Sequence, residues 1–532
     1  MIVFACIIKW IKNRTGSGRI AKYSIILGEL VMSEIQIIKV NEVRMRILAE
    51  DYIREELNDY FKFEDPNFQP NPFSKWDGVV RLFTKSSGLI DIGLLFEVFK
   101  FCKMNGYTIK LDPALKYIQD IPDEEIHTFI NSLNAVYRDE NKQYQIATVR
   151  DYQFDSVATA IRQSRCVLEA ATSAGKSFIL YIMARYYRQR REALESNLKT
   201  LIVVPSIHLV TQLYDNFEEY SHGTDWNPMM NVQMICEGAT KDIFKPIVIS
   251  TWQGIQDQPK EWFHQFGDIV VDEVHTSKSE KLSYILNNCI NADQRLGVTG
   301  TLANTKVAGL QVVAHFGAYH KIITARDLIN LGYATDIHVN MIEVIHPMAD
   351  CIEMHGAEYQ KEIEFLIANE RRNELIARMA LSLKGNVAVM FERIDAHMMI
   401  VYEMLSAVKK NVFVINGEVK TEVRKQIQAA MEEGEDITLL ASYGTMQQGV
   451  SIKKLHHLIL AHPSKSYIRV IQTLGRLMRQ HSSKDVAKIW DLVDNLRYNG
   501  FSYNHALRHS HERYKFYLME RHPVQMKKVS LQ

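Results

Sequence analysis

Short apolar runs of strand length recur along most of the chain and alternate with helical patterns. From residue 144 onward these runs are CVLEA, TLIVVPS, PIVIST, DIVVDE and RLGVTG. Consecutive apolar positions of this kind are typical of parallel strands buried on both faces. The pattern predicts a doubly wound α/β lobe, and it recurs after about residue 332 as NVAVMF, NVFVING, ITLLAS, HLILAH and AKIWDLV, which predicts a second lobe.

The N-terminal part has a mixed pattern. IQIIKVNEVRMRI and GVVRLF are strand-like, whereas ILAEDYIREELNDYFKF and GLLFEVFKFCKMNGY are helical, the latter with Gly106 as a C-cap. We therefore expect a small α+β domain at this end of the chain. The expected division is an extension over 1–32, the α+β domain over 33–113, a partly helical connector over 114–143, lobes over 144–332 and 333–500, and a helical tail over 501–532.

Composition changes this picture in three respects. The 532 residues far exceed the roughly 250–300 at which a single core stops growing, so several domains are expected. The net charge is only +1, so any surface for nucleic acid must be local. The six cysteines form no CxxC pair, which argues against a zinc site and favours a reducing compartment, the cytoplasm.

The first apolar run is too short to span a bilayer. Regular patterning begins after Met32, which we therefore interpret as the true start.

The segment ATSAGKS follows the strand CVLEA and precedes the helical run FILYIMARYY. Small residues allow backbone N–H groups and a helix N-terminus to face phosphates, as in a phosphate loop. We expect Lys176 to reach the β- and γ-phosphates and Ser177 to bind Mg²⁺. Ala170 stands where the general GxxxxGK[ST] pattern has its first glycine, and a chance turn of small residues is the alternative. The residues expected to bind nucleotide here are Thr172, Ser173, Ala174, Gly175, Lys176 and Ser177.

A second segment, Asp272-Glu273-Val274-His275, ends the apolar strand DIVV. A strand tip can direct carboxylates toward a nucleotide. We expect Asp272 to hold Mg²⁺ and Glu273 to orient and deprotonate the attacking water. His275 is a further catalytic candidate, and a solvated acidic turn is the alternative interpretation.

The third segment, QTLGRLMR, places Arg476 and Arg479 on one helical face with Gln472 one turn earlier. The planar guanidinium of arginine can stabilise a developing phosphoryl charge, here from the opposite lobe. These three residues are therefore catalytic candidates, and a solvated basic helix is the alternative.

ATSAGKS, DEVH and QTLGRLMR, in this order, resemble the superfamily-two helicases. The resemblance covers about residues 150–491 and implies two RecA-like lobes with ATP and Mg²⁺ in the cleft. It also implies that nucleic acid crosses both lobes. Thr299-Gly300-Thr301 resembles the linker motif S/T-A-T, with glycine in place of alanine, and Ser451 stands where many relatives carry an aspartate. The implied nucleotide contacts are Arg150, Gln153 and Gly449, and the implied nucleic-acid contacts are Pro205, Ser206, Gln212, Thr251 and Trp252.

Longer strings, among them NPFSKWDGVVRLF and KEWFHQFGDIVVDEVH, are similar to recombination helicases of tailed phages. This resemblance implies unwinding of branched DNA and RNA–DNA hybrids, junction migration and fork reversal, in recombination, repair and replication in the host cytoplasm. DNA is the implied partner, together with recombination or single-strand-binding proteins, and no membrane is involved.

The turn around Trp76 has two interpretations. Trp76 contacts a base or sugar with Lys75 and Arg81 on phosphates, or Trp76 packs beneath a hairpin. For the whole chain, three alternatives remain open: a duplex translocase that does not separate strands, an RNA helicase, and a catalytically silent nucleic-acid-binding scaffold.

Overall fold

The computed structural model describes residues 34–65, 68, 77–115, 118–139, 141–236, 238–274, 280–300, 306–447, 452–463, 475, 477–498 and 503–531. The chain forms two units, Met1–Lys116 and Tyr117–Gln532. Within the described ranges, no helix is long and apolar enough to cross a membrane.

The first unit is a small α+β domain whose sheet has the order β5-β6-β2-β1-β7. The segment IQIIKVNEVRMRI, predicted to be strand-like, is confirmed as β structure and folds into the antiparallel hairpin β1–β2. The turn forms because Asn41 Oδ1 accepts hydrogen bonds from the backbone N–H groups of Val43 (2.8 Å) and Arg44 (2.9 Å). Gly106 adopts φ 73° at the C-cap of its helix, as predicted. The strands are β1 Glu34–Lys39, β2 Arg44–Leu48, β3 Lys62–Glu64, β4 Val79–Arg81, β5 Phe83–Thr84, β6 Leu89–Asp91 and β7 Thr108–Leu111, and the helices are Asp51–Tyr60, Ile92–Leu94, Leu95–Asn105 and Pro113–Leu115.

The segment that leads into the first lobe packs against that lobe. It contains the helix Asp123–Ser132 and the hairpin of β8 (Val136–Arg138) and β9 (Tyr144–Ile146). Ile126 and Ile130 are buried in the core of the first lobe. The segment predicted as a connector therefore contributes to that core.

The first lobe is built on a parallel sheet of seven described strands in the order β12-β13-β11-β14-β15-β10-β16. Separate apolar cores cover its two faces, since Val167 belongs to one core and the adjacent Leu168 to the other. The five predicted strands are confirmed as β10, β11, β13, β14 and β15, whereas β12 and β16 were not predicted. The strands are β10 Arg165–Ala170, β11 Lys199–Val204, β12 Val232–Ile235, β13 Ile247–Thr251, β14 Phe266–Asp272, β15 Gln294–Thr299 and β16 Ala318–Ile323, and the helices are Asp151–Gln163, Lys176–Ala193, Ile207–Tyr220, Pro228–Asn231, Trp252–Ile255, Lys260–Phe263, Glu280–Asn288 and Lys306–Phe316.

The second lobe repeats this architecture, with seven described parallel strands in the order β19-β20-β18-β21-β22-β17-β23. Its sheet also has a core on each face, because Val389 and the adjacent Met390 belong to different clusters. The strands are β17 Asp336–Ile345, β18 Val387–Phe391, β19 Val412–Ile415, β20 Thr438–Ser442, β21 His457–Leu460, β22 Val486–Asn495 and β23 Val524–Ser530, and the helices are Ala325–Asn330, Met348–Glu353, Tyr359–Ala368, Glu370–Ser382, Ile394–Met398, Met399–Ser406, Thr421–Glu433, Tyr443–Gln447 and His505–Met519.

The C-terminal segment differs from the predicted helical tail. The helix His505–Met519 is followed by β23, which pairs in parallel with β17 at the edge of the second sheet. Pro523 explains the change, because proline disrupts a helix interior but is tolerated at the start of an edge strand. Its carbonyl accepts a hydrogen bond from Val339 N (2.9 Å), which fixes the register of the new edge.

Candidate functional site

The phosphate-loop segment forms the turn between β10 and the helix Lys176–Ala193. Gly175 caps this helix with φ 79°, and a Cβ built on it would lie 2.3 Å from Gln153 Nε2. Glycine is therefore required here for both conformation and space. Ser173 has φ 75°, an uncommon backbone conformation for a residue with a side chain. The loop is thus a tightly specified turn that presents a helix N-terminus.

Gln153 connects the phosphate loop to the helix before it. Its Nε2 donates to the Ala174 carbonyl (3.0 Å), and its Oε1 accepts from the backbone N–H of Arg150 (3.1 Å). The side chain is 5% exposed. Ala174 is fully buried. The two predicted nucleotide contacts Gln153 and Ala174 therefore form the wall of the phosphate loop.

The paired acids lie at the same edge of the sheet as the loop. Asp272 is the last residue of β14, and Glu273 follows with φ 54°. Glu273 Oε1 lies 3.6 Å from Lys176 Nζ, with side chains 17% and 13% exposed, and Glu273 Oε2 accepts from the Thr299 hydroxyl (3.3 Å). The structure therefore brings the side chains of Lys176 and Glu273 together, with Asp272 as the residue directly before Glu273.

Gly300 lies against the loop from the neighbouring strand β15. A Cβ at this position would lie 3.1 Å from Lys176 Nζ and 3.3 Å from Thr172 Oγ1. Both atoms belong to residues that were predicted to bind the nucleotide, so the glycine that replaces the alanine of the family pattern leaves them more room. Thr301 lies outside the described residues.

The second lobe touches the phosphate loop through Gly475. The Ser173 hydroxyl donates to the Gly475 carbonyl (2.8 Å). A Cβ on Gly475 would lie only 2.1 Å from the Cβ of Thr172, so only glycine fits in this arrangement. Gly475, one residue of the segment predicted to carry the catalytic arginines, thus lies directly against the phosphate loop of the other lobe.

Arg479 lies beyond this contact and is held through its backbone. Its carbonyl accepts from the Thr335 hydroxyl (3.2 Å), and the Thr335 N–H donates to the carbonyl of Met478 (2.8 Å). Desolvation lowers the pKa of the Arg479 guanidinium, which nevertheless remains charged at neutral pH.

The predicted nucleic-acid contacts of the first lobe lie side by side at the carboxyl edge of the sheet. Ser206 caps the helix Ile207–Tyr220 by accepting from Leu209 N, and Thr251 caps the helix Trp252–Ile255 by accepting from Gly254 N. The two caps are adjacent because β11 and β13 pair with Val204 opposite Thr251. Pro205 directly precedes the first cap, and Gln212 and Trp252 are both half-buried on these helices.

In the N-terminal unit, Arg81 already has an acidic partner. Its two terminal nitrogens contact the two carboxylate oxygens of Asp77 at 2.6 and 3.1 Å. This hydrogen-bonded pair lowers the pKa of Asp77 to about 2. The pairing reduces the positive charge that Arg81 presents to a phosphate.

Several predicted positions lie outside the described residues. They are the extension 1–32 and Lys75, Trp76, His275, Gly449, Ser451, Gln472 and Arg476. Conversely, no sequence pattern indicates the contacts of Gly475 and Thr335, because both depend on how the second lobe docks on the first.

The first parallel-sheet lobe carries the phosphate loop and the paired acids, and the second lobe places Gly475 against that loop. This is the architecture of a superfamily-two ATP-dependent helicase. Residues 139–304 match the family model "Type III restriction enzyme, res subunit", residues 370–481 match "Helicase conserved C-terminal domain", and residues 35–112 match "DNA helicase UvsW, N-terminal".

The ATP-dependent DNA helicase UvsW of Enterobacteria phage T4 is 33% identical over 509 residues, which cover 92% of this chain and 98% of that protein. The chain therefore belongs to the UvsW family of helicases. A crystal structure of T4 UvsW matches with 31% identity and a TM-score of 0.49, covering 94% of this chain and 100% of that one. The type ISP restriction-modification enzyme LlaBIII bound to DNA matches with 16% identity and a TM-score of 0.53, covering 74% of this chain and 32% of that one, which shows a shared fold.

Proposed function

We propose that this helicase acts on DNA and remodels branched DNA and RNA–DNA hybrids during phage recombination, repair and replication, in the host cytoplasm. The observation that carries the catalytic part is the position of Lys176 Nζ 3.6 Å from Glu273 Oε1, at the end of the phosphate loop that Gly475 contacts from the other lobe. The substrate part is supported by the UvsW-like N-terminal domain and by the similarity to a T4 protein named as a DNA helicase.

The nucleotide binds across the phosphate loop. The N-terminus of the helix Lys176–Ala193 faces the phosphates, and an α-helix favours anions at this end. Lys176 binds the β- and γ-phosphates and is drawn away from Glu273 when they arrive. The donor set fits a magnesium ion, since the Ser177 hydroxyl and the Asp272 carboxylate are hard oxygen ligands. These two residues would hold Mg²⁺, which neutralises phosphate charge when bound.

Glu273 acts on the attacking water. The Thr299 hydroxyl holds one of its carboxylate oxygens, so the other is directed toward Lys176 and the phosphate loop. The carboxylate accepts a proton from the water as the water oxygen bonds to the γ-phosphorus and the bond to ADP breaks. Arg476 and Arg479 stabilise the negative charge that develops, with Gln472 beside them.

DNA crosses the first lobe at the adjacent helix N-termini capped by Ser206 and Thr251. Pro205, Gln212 and Trp252 line the same edge. Backbone N–H groups at such termini bind phosphates without reading sequence, which suits a translocating motor. In the N-terminal domain, Lys75, Trp76 and Arg81 contact the duplex arm of the substrate.

The first experiment compares ATP hydrolysis by the wild type with Lys176→Ala across single-stranded DNA, duplex, RNA–DNA hybrid and a four-way junction. We expect Lys176→Ala to abolish hydrolysis on every substrate, because the phosphates lose their cation. Lys260→Ala is the matched control, since Lys260 is an exposed lysine of the same lobe, and it should retain full activity.

A strand-separation assay on the same substrates decides between related functions. Unwinding of the junction and the hybrid supports the proposal. Hydrolysis stimulated by duplex without strand separation would instead identify a translocase, and stimulation by single-stranded RNA alone would overturn the assignment of DNA.

The role of Glu273 is tested separately by Glu273→Gln. The amide keeps the side-chain volume but cannot accept the proton, so ATP should still bind while turnover falls by at least a hundredfold. Binding is measured with a fluorescent ATP analogue and turnover by phosphate release. Appreciable DNA-stimulated hydrolysis by this variant would refute the assignment of the base.

A further inference from the structure

The aromatic ring of Tyr333 lies on the guanidinium of Arg150. The Arg150 Cζ is 4.0 Å from the ring centroid, and Tyr333 is 36% exposed. Arg150 begins the helix that carries Gln153, and Gln153 is bonded to the phosphate loop. Tyr333, which belongs to the segment between the two lobes, therefore lies beside the helix start that Gln153 connects to the phosphate loop.

The position of Tyr333 is fixed by the end of the helix Ala325–Asn330. Gly332 adopts φ 71°, and its N–H donates to Ile329 O (3.0 Å). The N–H of Tyr333 donates to Leu328 O (2.8 Å). These bonds form a Schellman motif, which terminates a helix in a defined backbone geometry. The backbone of Tyr333 is consequently fixed, and the longer side chain of Arg150 is the partner that can move.

Arg150 and Gln153 have different capacities to hold a base. The side-chain amide of Gln153 is already engaged by two hydrogen bonds. Its Oε1 accepts from the backbone N–H of Arg150, and one of its two N–H groups donates to the carbonyl of Ala174. The guanidinium of Arg150 has a planar face, and its Nη1 donates to the Tyr152 hydroxyl (3.0 Å), which orients the plane. Stacking is therefore the main interaction that this part of the site offers to a base.

We infer that Tyr333 stacks on one face of the purine base of the bound nucleotide, with Arg150 on the other face. This inference rests on the proposed binding of ATP at the phosphate loop and adds a residue that is not part of the helicase sequence motifs. A base needs about 3.5–4 Å on each side, so Arg150 moves about 3.5 Å away from the ring to admit it. The resulting arrangement is a sandwich of a cation and an aromatic ring around a second aromatic system.

Tyr333 also connects the base to the second lobe. Two residues further on, Thr335 donates to the carbonyls of Met478 and Arg479. The Gln480 side chain donates to the carbonyl of Gly332, immediately before the tyrosine. A base that contacts Tyr333 thereby stabilises the linker to which the arginine segment is bonded.

The test measures KM and kcat for ATP in Tyr333→Ala and the affinity for inorganic tripolyphosphate by competition. Loss of a stacked base contact should raise the KM for ATP about tenfold, with kcat within about twofold of the wild type. Tripolyphosphate has no base, so its affinity should not change. Tyr333→Phe should behave as the wild type, and Tyr333→Leu should resemble alanine because it keeps volume but lacks a π face.

Leu331→Ala is the matched control, because Leu331 is an exposed apolar residue of the same turn. An unchanged KM for ATP in both Tyr333→Ala and Tyr333→Leu would overturn the inference. So would a parallel loss of ATP and tripolyphosphate affinity, which would indicate a structural role in lobe docking. Neither outcome affects the proposed function, whose failure would appear as full activity of Lys176→Ala.

Discussion

Substitution of Gly475 by alanine tests whether the second lobe must approach the phosphate loop as closely as the structure shows. The new Cβ would lie 2.1 Å from Thr172 Cβ and 2.5 Å from Thr172 Cγ2. Carbon atoms in contact prefer about 3.5 Å or more, so the two segments would separate by about 1.5 Å. That displacement also breaks the hydrogen bond from Ser173 to the Gly475 carbonyl.

The separation moves the arginine segment away from the nucleotide. Misplacement of catalytic groups by on the order of 1 Å costs about a hundredfold in rate, equivalent to about 2.7 kcal/mol of transition-state stabilisation. We therefore expect the kcat for DNA-stimulated hydrolysis by Gly475→Ala to fall about a hundredfold. ATP affinity, measured with a fluorescent analogue, should change far less, because the phosphate loop itself is intact.

Three further variants define the outcome. Gly417→Ala is the control, since a Cβ at Gly417 meets no atom within 4 Å and the residue lies in the same lobe. Thr172→Gly removes the atoms that clash. Adding Gly475→Ala to Thr172→Gly should therefore cause no further loss of activity, so the double variant should be as active as Thr172→Gly alone. Full activity of the single variant Gly475→Ala would show that the lobes do not need this approach, and the reasoning would be refuted.

Two other predictions concern the N-terminal domain and pH. Because Asp77 pairs with both terminal nitrogens of Arg81, we expect Asp77→Asn to strengthen the binding of duplex DNA. Arg81→Ala should weaken that binding and reduce the slope of log K against log salt concentration by about one unit. Fluorescence anisotropy at several salt concentrations measures both effects, and an unchanged slope would exclude a phosphate contact. Burial holds the pKa values of His462 and His522 at about 4, below their usual 6.5, so the unfolded state takes up protons first as the pH falls. The stability that these groups contribute is present above pH 6.5 and is lost toward pH 4, at a cost of about 2 kcal/mol each by pH 5. Hydrogen exchange of the strands of the second lobe at pH 7 and 5 measures this loss, and equal protection would contradict it.

The sequence predicted the central strands because strands that are buried on both faces consist of consecutive apolar residues. The strands β10 and β14 are flanked by neighbours on both sides and read as continuous apolar runs. The edge strands β16 and β23 carry exposed polar residues, as in AYHKII and VQMKKVS, and no such run marks them. Their pairing depends on the neighbouring strand and not on their own pattern.

The same distinction explains which parts of the site could be predicted. Lys176 begins the helix after β10, and Glu273 directly follows β14, one strand further along the sheet beyond β15. Short motifs locate both residues, and the structure brings their side chains within 3.6 Å. The contact of Gly475 with Thr172 spans two lobes and some 300 residues of sequence, so it depends on docking that no local pattern encodes. Tyr333 escaped detection for another reason, since a single exposed aromatic residue after a helix is common and carries no motif.

The contacts of residues 475–480 indicate how nucleotide binding is coupled to the relative position of the lobes. Gly475 contacts the phosphate loop, while Met478 and Arg479 are bonded to the linker residue Thr335. One short segment of the second lobe therefore contacts the phosphate loop directly and the linker that carries Tyr333 through Thr335. If both contacts form when ATP is bound, loss of the γ-phosphate weakens the contact of Gly475 with the phosphate loop and leaves the hydrogen bonds to Thr335. The second lobe would then pivot about the linker instead of separating completely from the first lobe. The coupling between nucleotide binding and lobe position consequently depends on the stiffness of the turn around Gly332. We expect glycines inserted after Leu331 to leave ATP hydrolysis measurable and to lower the amount of DNA unwound per ATP consumed. Unchanged unwinding per ATP in that variant would show that the linker does not transmit the motion.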